Sequence, residues 1–500
     1  MPVIGRFHGG MRQLHDHDMR GELAMSTTNK IMTDSYDLVA LGGGTGGLVS
    51  AAGATYMGLD AAIVEKTALG GDCLWTGCVP SKALIASARL ARRMNGAESL
   101  GLLPAAHRHD FRAVMERMRA ARGTVAHHDD PERFRKMGVA VHFGSARFVD
   151  PATVEVEGVG LIRSRRFVLA TGAVPAIPPI PGLAESGYWT YETVFDQDEL
   201  PESIAILGGG PIGTEFAQVF ARLGSRVTIL EMAPTILTNE DPDVAAFMQS
   251  LLEEEGIEVR TKAAVVGVRK AGGRKSVETR GGGTASVEQV FVATGRRPLT
   301  EGLNLGAAGV RTTRGAVAVD AHLRTSAASV WGVGDVTGAM QFTHVADQMA
   351  KVALRNAILP VKAKIRYDNV PRVTFTDPEV AHVGMSEADA TARGGTVYRY
   401  ELGDLDRAIV DAAAVGFVKV SADRKGRIMG ATVVARGGGD LIVPFVLAKQ
   451  HGLNLSAIAN TIFPYPTMAE GVKRASAEFL RSRLDTPAGR TLKRVIQWLK

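Results

Sequence analysis

The sequence predicts an α/β protein with two similar parallel-sheet domains and a smaller α+β domain towards its C-terminal end. One observation is a glycine-rich turn that follows an apolar strand, precedes a helix, and occurs twice. A second is that each copy is later followed by an apolar strand ending in Ala-Thr-Gly. A third is a change near Val370, where short β-rich runs begin to alternate with helical segments, as in an α+β domain.

Each copy of the repeated unit has the order strand, glycine turn, helix, strand and acid. The first turn is Gly42–Gly47 and its acid is Glu65, whereas the second turn is Gly208–Gly213 and its acid is Glu231. Eighteen residues separate the last glycine from the acid in both copies. The strands predicted from apolar runs are 36–41, 61–65, 204–207 and 227–231. This internal duplication is typical of two Rossmann-like dinucleotide-binding domains.

The glycines of each turn have distinct roles in binding a pyrophosphate. The first allows a tight turn, the second lets the backbone approach the pyrophosphate, and the last lets the helix pack on the strand. The helix N-terminus then faces the negative charge, and the acid is placed to accept a hydrogen bond from a ribose hydroxyl. The glycines with these roles are Gly42, Gly44 and Gly47 in the first copy and Gly208, Gly210 and Gly213 in the second.

Composition and charge narrow the class of protein. A chain of 500 residues that is 45% hydrophobic and 22% charged is an ordinary globular protein of several domains. The net charge of +6 comes without a basic stripe interleaved with aromatic residues, so a nucleic-acid partner is not expected. The uncharged stretch 38–59 contains seven glycines, which favours a turn between buried elements over a membrane span. Since the start of the chain shows no signal-peptide pattern, we expect a cytoplasmic protein.

The two cysteines lie close together in a glycine-flanked segment at 70–82. Cys73 and Cys78 are five positions apart, and such proximity in a chain with two cysteines indicates a redox dithiol. A metal site is the alternative, but no nearby histidine or further cysteine completes a tetrahedral shell, so no metal site is predicted. Two buried cysteines with a packing role are a third interpretation.

The cysteine segment, the Ala-Thr-Gly strands and the two glycine turns together resemble the flavin-dependent pyridine nucleotide–disulfide oxidoreductases, and among these mercuric reductase and its relatives. The resemblance covers about residues 34–484. It implies FAD on the first nucleotide site and NAD(P)H on the second. Hydride would pass from the nicotinamide to the flavin, and an electron pair from there to a Cys73–Cys78 disulfide. Cys78 would be the charge-transfer thiolate, and Cys73 the interchange thiol that meets the substrate.

The same resemblance implies a division of the chain and a wider set of site residues. The expected units are a flexible arm at 1–33, an FAD-binding domain at 34–180 and 291–365, an NAD(P)-binding domain at 181–290, a dimerisation domain at 366–484 and an amphipathic tail at 485–500. Lys82 and Glu215 match the family's ion pair beside the flavin, and Asp335 lies in a segment similar to the family's later FAD segment. The other expected cofactor-binding residues are Lys66, Gly71, Thr171, Gly172, Gly334 and Gly295.

One departure from the family pattern concerns the electron acceptor. Disulfide reductases of the family carry a His-Pro-Thr-x-x-Glu segment from the partner subunit, and here this segment runs from Tyr465 to Glu470. A phenol with a reference pKa of about 10 is a poor base at neutral pH, and loss of a general base costs about 10²–10⁴ in rate. Reduction of lipoamide or glutathione disulfide is therefore expected to be inefficient. Mercuric reductases resemble this chain in having a tyrosine there.

A second departure is the cysteine content. Mercuric reductases also carry a C-terminal cysteine pair that delivers the metal and an N-terminal metal-capture Cys-x-x-Cys module, whereas this sequence has only the two cysteines already named. The acceptor therefore stays open between a metal ion, a small disulfide and another small oxidant. The alternatives are dihydrolipoamide dehydrogenase or another disulfide reductase, a thiol-based redox or metal sensor, and a diaphorase that bypasses the thiols.

The remaining predictions concern the nicotinamide, the partner and the tail. NADH is favoured over NADPH because Glu231 would repel a 2′-phosphate and no arginine follows in 232–235. A homodimer is expected through the C-terminal domain. The spacing of Leu492, Val495, Ile496 and Leu499 predicts a short amphipathic helix. We expect this helix to pack on the body of the protein, with contact to a membrane surface as the less favoured alternative.

Overall fold

The computed structural model describes residues 33–103 and 109–500, so all of the predicted flexible arm except residue 33 lies outside the described residues. The first repeated unit forms a five-stranded parallel sheet. In spatial order its strands are Val330–Gly332, Phe167–Leu169, Leu38–Leu41, Ala61–Glu65 and Ala140–Phe143. The two central strands are apolar and almost wholly buried, as expected for a parallel sheet covered on both faces.

The strand predicted at 36–41 is wrong at its first two residues, because the strand of the parallel sheet begins at Leu38. The chain bends at Asp37, and the strand Thr33–Tyr36 belongs to a second sheet, where it pairs with Gly160–Ser164. The four strands of this second sheet, in spatial order, are Thr33–Tyr36, Gly160–Ser164, Thr153–Val156 and Ala146–Asp150. The two sheets enclose one apolar cluster, in which Phe148 and Phe167 make an edge-to-face contact.

The second repeated unit forms a four-stranded parallel sheet. In spatial order its strands are Glu258–Arg260, Arg226–Leu230, Ser203–Leu207 and Gln289–Val292. The last of these strands extends two residues past the boundary predicted at 290. Beside this sheet lies an antiparallel one formed by Val265–Ala271, Arg274–Thr279 and Thr284–Val287. The helix after the second glycine turn is Pro211–Leu223, and it begins at a proline, a residue well suited to the first position of a helix.

The C-terminal region has the α+β composition that the sequence predicts. Its antiparallel sheet has, in spatial order, the strands Pro371–Thr374, Glu379–Gly384, Ile428–Ala435, Phe417–Ala422 and Thr396–Glu401. Its helices are Glu387–Ala392, Asp406–Val410, Gly438–Leu441, Val443–Gln450, Leu455–Asn460 and Glu470–Arg483. The predicted fold class, two Rossmann-like domains followed by an α+β domain, is confirmed.

The remaining helices connect or cover the sheets of the first two units. They are Thr45–Tyr56, Gly71–Trp75, Cys78–Asn95, Phe111–Ala126, Pro131–Lys136, Leu183–Ser186, Pro242–Glu254 and Thr343–Ile358. Short two-stranded ladders join Ala173–Pro175 with Arg296–Pro298 and Thr312–Thr313 with Ala316–Val317. A search of the described residues finds no helix with the length and hydropathy needed to cross a membrane.

The tail forms the helix Pro487–Trp498, as predicted, but the prediction that it packs on the body is wrong. Its apolar side chains stay exposed: 51% of Leu492, 49% of Ile496 and 72% of Leu499 are accessible. Within the chain, the helix extends from the end of Glu470–Arg483 without covering its apolar face. A pattern of apolar residues predicts that a helix is amphipathic, but it does not reveal what surface the apolar side meets.

Ion pairs around the buried Lys419 connect the second unit to the C-terminal region. The Lys419 ammonium lies 2.9, 2.6 and 2.8 Å from carboxylate oxygens of Asp241, Asp243 and Glu387. These three acids are spaced as metal ligands would be, yet the lysine supplies the positive charge between them. We therefore interpret this cluster as a structural ion pair.

Candidate active site

The two cysteines lie on either side of a sharp turn between two helices. Cys73 is in the helix Gly71–Trp75, and Cys78 is the first residue of the helix Cys78–Asn95. A side chain at Gly77 would place its Cβ 2.7 Å from the Asp72 carbonyl oxygen, so only glycine lets the helices approach this closely. The turn brings the two sulfur atoms within hydrogen-bonding reach of each other. Both cysteines are free thiols here.

The groups around the two thiols shift their pKa values in opposite directions. The hydrogen bond from Cys73, then that from Thr343 and the positive charge of Lys82, lower the pKa of Cys78 to about 6 against the opposing effect of burial. The hydrogen bond with Cys78, together with burial, raises the pKa of Cys73. Both shifts favour Cys78 over Cys73 as the thiolate of the pair. Since the thiolate is the nucleophilic form, this asymmetry gives the pair a defined direction of reaction.

Thr343 is a site residue that the sequence analysis missed. Its Oγ1 lies 3.5 Å from the Cys78 sulfur, and it is the first residue of the helix Thr343–Ile358. The two residues are 265 positions apart, so no local motif connects them. A hydroxyl that donates to the sulfur favours the charged thiolate over the thiol.

Lys82 and Glu215 form an ion pair that spans the two repeated units. Lys82 lies one turn after Cys78 on the same helix, and its Nζ is 2.9 Å from Glu215 Oε2. The other carboxylate oxygen accepts the Phe375 backbone N–H at 2.8 Å. The ammonium also lies 4.2 Å from the centre of the Phe375 ring. The pair thus joins the cysteine helix, the helix after the second glycine turn and the C-terminal region.

The two predicted ribose-binding acids hold their glycine turns in the same way. Glu65 Oε2 accepts the Gly43 N–H at 2.6 Å, and Glu231 Oε2 accepts the Gly209 N–H at 2.6 Å. In both, the second oxygen accepts the N–H two residues after the acid. A carboxylate has about four acceptor sites, so each acid keeps capacity for a ribose hydroxyl.

The middle glycine of each turn faces open space. A Cβ on Gly210 would meet no atom within 4 Å, and a Cβ on Gly44 would meet only the Gly71 Cα at 3.7 Å. A side chain at either position would fill the space beside the backbone N–H groups at the start of the helix. Both turns therefore fit a bound pyrophosphate, which needs close backbone approach at this point.

The structure explains why each glycine turn is followed by Ala-Thr-Gly later in the chain. A Cβ on Gly42 would lie 2.3 Å from the Ala170 carbonyl oxygen, and one on Gly208 would lie 2.5 Å from that of Ala293. Each first glycine therefore packs directly on the alanine of its own Ala-Thr-Gly segment. Because the atom contacted is a backbone carbonyl oxygen, the first position of each turn must be glycine.

The threonines and glycines of these segments lie where the chain passes between the two repeated units. Thr171 Oγ1 donates to the Leu299 carbonyl at 2.6 Å, and Thr294 Oγ1 donates to the Ala176 carbonyl at 2.7 Å. Gly172 and Gly295 both have positive φ, at 76° and 117°, which favours glycine where the chain leaves each parallel sheet. The predicted site residues Thr171, Gly172 and Gly295 are thus brought together at this crossing.

Residues 36–350 match the family model described as pyridine nucleotide-disulphide oxidoreductase. The chain belongs to this family. Residues 370–476 also match the dimerisation domain of the pyridine nucleotide-disulphide oxidoreductases, which supports a homodimer. The protein is therefore an enzyme of a family whose members depend on FAD and use NAD(P)H.

Named relatives of this oxidoreductase fall into more than one activity. The chain is 36% identical to a mercuric reductase of Streptomyces lividans over 459 residues, which is 89% of this chain and 96% of the relative. It is 33% identical to a dihydrolipoyl dehydrogenase of Rhizobium etli, covering 89% of this chain and 98% of the relative. A Cu(II) complex of the HOCl-induced flavoprotein disulfide reductase RclA from Escherichia coli superposes with a TM-score of 0.82 at 28% identity, covering 89% of this chain and 99% of that chain.

In this oxidoreductase, Asp335 belongs to a charged network that the sequence analysis did not predict. Asp335 Oδ2 lies 2.6 Å from Arg296, which also pairs with Asp72 and donates from Nε to the Tyr191 hydroxyl at 3.1 Å. Burial raises the pKa of Asp72 and of Asp335, and the arginine opposes this effect in both. Arg296 thus connects the residue before Cys73 to the segment of Gly334 and Asp335.

The remaining predicted residues differ in their exposure. Tyr465 is 68% exposed, and its hydroxyl donates to Asp406 at 3.0 Å rather than to a sulfur of its own chain. That hydrogen bond raises the pKa of Tyr465. Glu470 is buried at the start of the helix Glu470–Arg483, and Lys66 is exposed directly after Glu65. Asp406 is therefore the tyrosine's partner, and no local pattern in the sequence indicates it.

Proposed function

We propose that this enzyme is an NADH-dependent flavoprotein that passes electrons through the Cys73–Cys78 pair to a soft metal ion. The observation that supports the proposal best is the placement of Cys73 and Cys78 on either side of a sharp turn, with Thr343 Oγ1 3.5 Å from the Cys78 sulfur and Lys82 one helical turn away. Such a pair forms a disulfide when it loses two electrons, and soft ions bind thiolates preferentially.

The proposed cofactor sites use the two glycine turns and their acids. FAD, when bound, supplies a two-electron carrier between the nicotinamide and the disulfide. Lys82 would stabilise the negative charge on Cys78, and Thr343 would orient a hydroxyl towards it. The residues proposed to hold FAD are Gly42, Gly44, Gly47, Glu65, Lys66, Gly71, Thr171, Gly172, Gly334 and Asp335. Those proposed to hold the nicotinamide nucleotide are Gly208, Gly210, Gly213, Glu231 and Gly295.

A metal ion as acceptor agrees with the state of Tyr465. When a dithiol reduces a divalent metal ion by two electrons, it becomes a disulfide and releases two protons, so no proton donor is needed. Reduction of a small disulfide instead passes the two protons of the dithiol on to the product thiols, and a residue must move them. The raised pKa of Tyr465 keeps its phenol protonated at neutral pH, so it is a poor base for that transfer. The mercuric reductase and Cu(II)-bound relatives support the same class of acceptor.

Glu231 supports NADH as the donor. Its carboxylate lies at the end of the strand Arg226–Leu230, tied to the glycine turn by the Gly209 N–H. A 2′-phosphate placed beside this carboxylate would meet like charge at close range. We therefore expect a higher kcat/KM with NADH than with NADPH in a direct comparison.

The deciding experiment measures NADH oxidation with a panel of acceptors. The panel is mercuric ion, cupric ion, lipoamide, glutathione disulfide and a quinone, each tested with the wild type and with Cys73→Ser. We expect steady turnover with a metal ion that the substitution abolishes. Activity that survives Cys73→Ser would show a diaphorase, and a single stoichiometric oxidation without turnover would show a sensor; either result would refute the proposal.

A pair of substitutions at Tyr465 separates metal reduction from disulfide reduction. Tyr465→His supplies a base near neutral pH, so we expect lipoamide reduction to rise about 10²-fold while metal reduction changes little. Tyr465→Phe is the matched control, because it removes the hydroxyl without adding a base. If the wild type already reduces lipoamide faster than metal ions, the enzyme is a disulfide reductase and the acceptor proposed here is wrong.

A further inference from the structure

The C-terminal helix is held at a defined angle to the body although its apolar face is uncovered. Thr486 caps the helix by accepting the Gly489 N–H at 3.2 Å, and Pro487 occupies the first helical position. A Cβ on Gly489 would lie 2.3 Å from the Arg483 carbonyl oxygen, so the start of the helix packs tightly on the end of the preceding one. The tight contact therefore fixes the angle between the C-terminal helix and the helix Glu470–Arg483.

The exposed surface of this helix is divided into an apolar stripe and a cationic remainder. At 100° per residue, the apolar side chains fall within about 100° of the helix circumference. They are Leu492, Val495, Ile496 and Leu499, with exposed fractions of 51%, 46%, 49% and 72%. Trp498, which is 82% exposed, borders one side of the stripe, and Lys493 borders the other.

The tail carries mainly positive charge. Between 485 and 500 the acidic side chain is Asp485, against four basic ones. These are Arg490, Lys493, Arg494 and Lys500. Lys493 pairs with Asp485 at 3.0 Å, which leaves an excess of positive charge along the helix. An apolar stripe bordered by tryptophan and lysine, with arginines on the far side, is the pattern of a helix that lies in the plane of a membrane surface.

We propose that the helix Pro487–Trp498 binds the surface of a membrane that contains anionic lipids. The apolar stripe enters the boundary between head groups and acyl chains, Lys493 and Lys500 at its edge contact the lipid phosphates, and the arginines on the far side add to the attraction of the helix to an anionic surface. The surface is independent of the proposed electron acceptor, since none of its residues belongs to the candidate active site. It would hold the reductase at the membrane without a spanning segment.

A second subunit is the other surface that could cover the stripe. Protein interfaces are depleted in lysine, whereas Lys493 and Lys500 lie along one edge of this stripe. An anionic surface complements these residues together with Arg490 and Arg494. Charge complementarity therefore favours the membrane.

The test uses full-length protein loaded with its cofactor and sedimented with lipid vesicles. We expect the wild type to sediment with vesicles of phosphatidylcholine and phosphatidylglycerol, and much less with phosphatidylcholine alone. Each basic side chain near an anionic surface contributes about fivefold to the partition coefficient, so Lys493→Gln and Lys500→Gln, at the edge of the stripe, should together reduce it about 25-fold. Failure of the wild type to bind anionic vesicles would overturn the proposal.

Two neighbouring substitutions separate the apolar stripe from net charge. Ile496→Asp and Gln497→Asp each add one negative charge at adjacent positions of the same helical turn, but Ile496 alone is on the stripe. We expect Ile496→Asp to weaken vesicle binding about tenfold more than Gln497→Asp. Sedimentation equilibrium without lipid should show one oligomeric state for all three proteins. If Ile496→Asp instead dissociates the oligomer and the two variants bind vesicles equally, the stripe is a subunit contact and the proposal is wrong.

Discussion

The two glycine turns share a backbone but differ in what lies beside them. The first turn backs onto the cysteine segment, since a Cβ on Gly71 would come within 2.7 Å of the Gly44 Cα. The second turn is open at the same position, because a Cβ on Gly210 meets nothing within 4 Å. A further difference lies two residues after the last glycine, where the first unit has Val49 and the second has Glu215.

These differences suit two copies of one unit to two kinds of nucleotide binding, one permanent and one exchanging. The first turn contacts the dithiol segment through backbone packing, which suits a nucleotide that stays bound. The helix after the second turn packs on the cysteine helix through apolar side chains and through the ion pair between Lys82 and Glu215, while the turn itself stays open at Gly210. The proposed placement of a permanently held FAD at the first turn and an exchanging nicotinamide nucleotide at the second agrees with this asymmetry, and the following substitutions test it.

The largest expected effect is on stability, and it tests the packing of the last glycine on the first glycine, which the two turns share. A Cβ at Gly47 would lie 1.8 Å from the Gly42 carbonyl oxygen, and one at Gly213 would lie 2.0 Å from that of Gly208. Because the contact atoms are backbone, we expect Gly47→Ala and Gly213→Ala each to lower the free energy of unfolding by about 3 kcal/mol. Urea titration followed by circular dichroism measures this.

A matched control for these variants is available in an open helix. Gly123 lies within the helix Phe111–Ala126, and a Cβ there would meet no atom within 4 Å. Gly123→Ala should stabilise the protein by about 0.5 kcal/mol, because alanine is the better helix former. If only one of the two turn variants were destabilised, the two turns would not share the packing described above.

The second prediction concerns the ion pair that connects the units. Lys82→Met leaves Glu215, whose side chain is 8% exposed, without its cation. We expect a loss of about 2 kcal/mol, below the value for a fully buried pair because a third of the Lys82 side chain is exposed. The pKa of Cys78 should rise as well, since the Lys82 charge helps to lower it. Urea titration and the pH dependence of Cys78 alkylation measure the two effects.

Lys82→Arg is the control for charge. It keeps the cation beside Glu215, so we expect most of the stability and a low pKa of Cys78 to be retained. A methionine variant as stable as the wild type, with unchanged alkylation, would mean that the pair does not connect the two units energetically.

Much of this arrangement could be predicted from the sequence because it depends on local spacing. The two turns, their acids and the cysteine pair are all defined within short segments, and a strand, turn and helix have characteristic periods. The confirmed fold class follows from these units. The pairing of Lys82 with Glu215 was expected from the family resemblance rather than from the residues themselves.

The rest could not be predicted because it depends on contacts between distant segments. Thr343 reaches Cys78 across 265 residues, and Arg296 connects Asp72 to Asp335 across three separate elements. Tyr36 continues an apolar run in the sequence but turns into a different sheet. In each case the local pattern is satisfied equally well by several tertiary arrangements, and only packing selects one.

The third prediction tests the openness of the second turn. Gly210 has φ of −75°, which alanine adopts without strain, so Gly210→Ala should change the free energy of unfolding by less than about 1 kcal/mol. The methyl group would instead occupy the space of the pyrophosphate. We expect the KM for NADH to rise about tenfold with full FAD content, measured by steady-state kinetics and flavin absorbance.

Gly71→Ala is the corresponding change beside the first turn. Gly71 has φ of +57°, and its Cβ would collide with Gly44, so this variant should lose FAD during purification. Equal loss of FAD from both variants, or of NADH affinity from both, would contradict the functional difference between the turns.

The smallest expected effect concerns Thr343, which connects the first unit to the thiolate. Thr343→Val keeps the shape of the side chain but removes the hydroxyl that lies 3.5 Å from the Cys78 sulfur. The hydrogen bond from Cys73 remains the larger influence, so we expect the pKa of Cys78 to rise from about 6 by roughly one unit. The thiolate, which is lost as the pH falls through this pKa, would then disappear at a higher pH than in the wild type. Alkylation of Cys78 by iodoacetamide at several pH values, followed by peptide mass spectrometry, measures the shift. Thr343→Ser retains the hydroxyl and should titrate like the wild type, whereas equal titration of the valine and serine variants would remove Thr343 from the site.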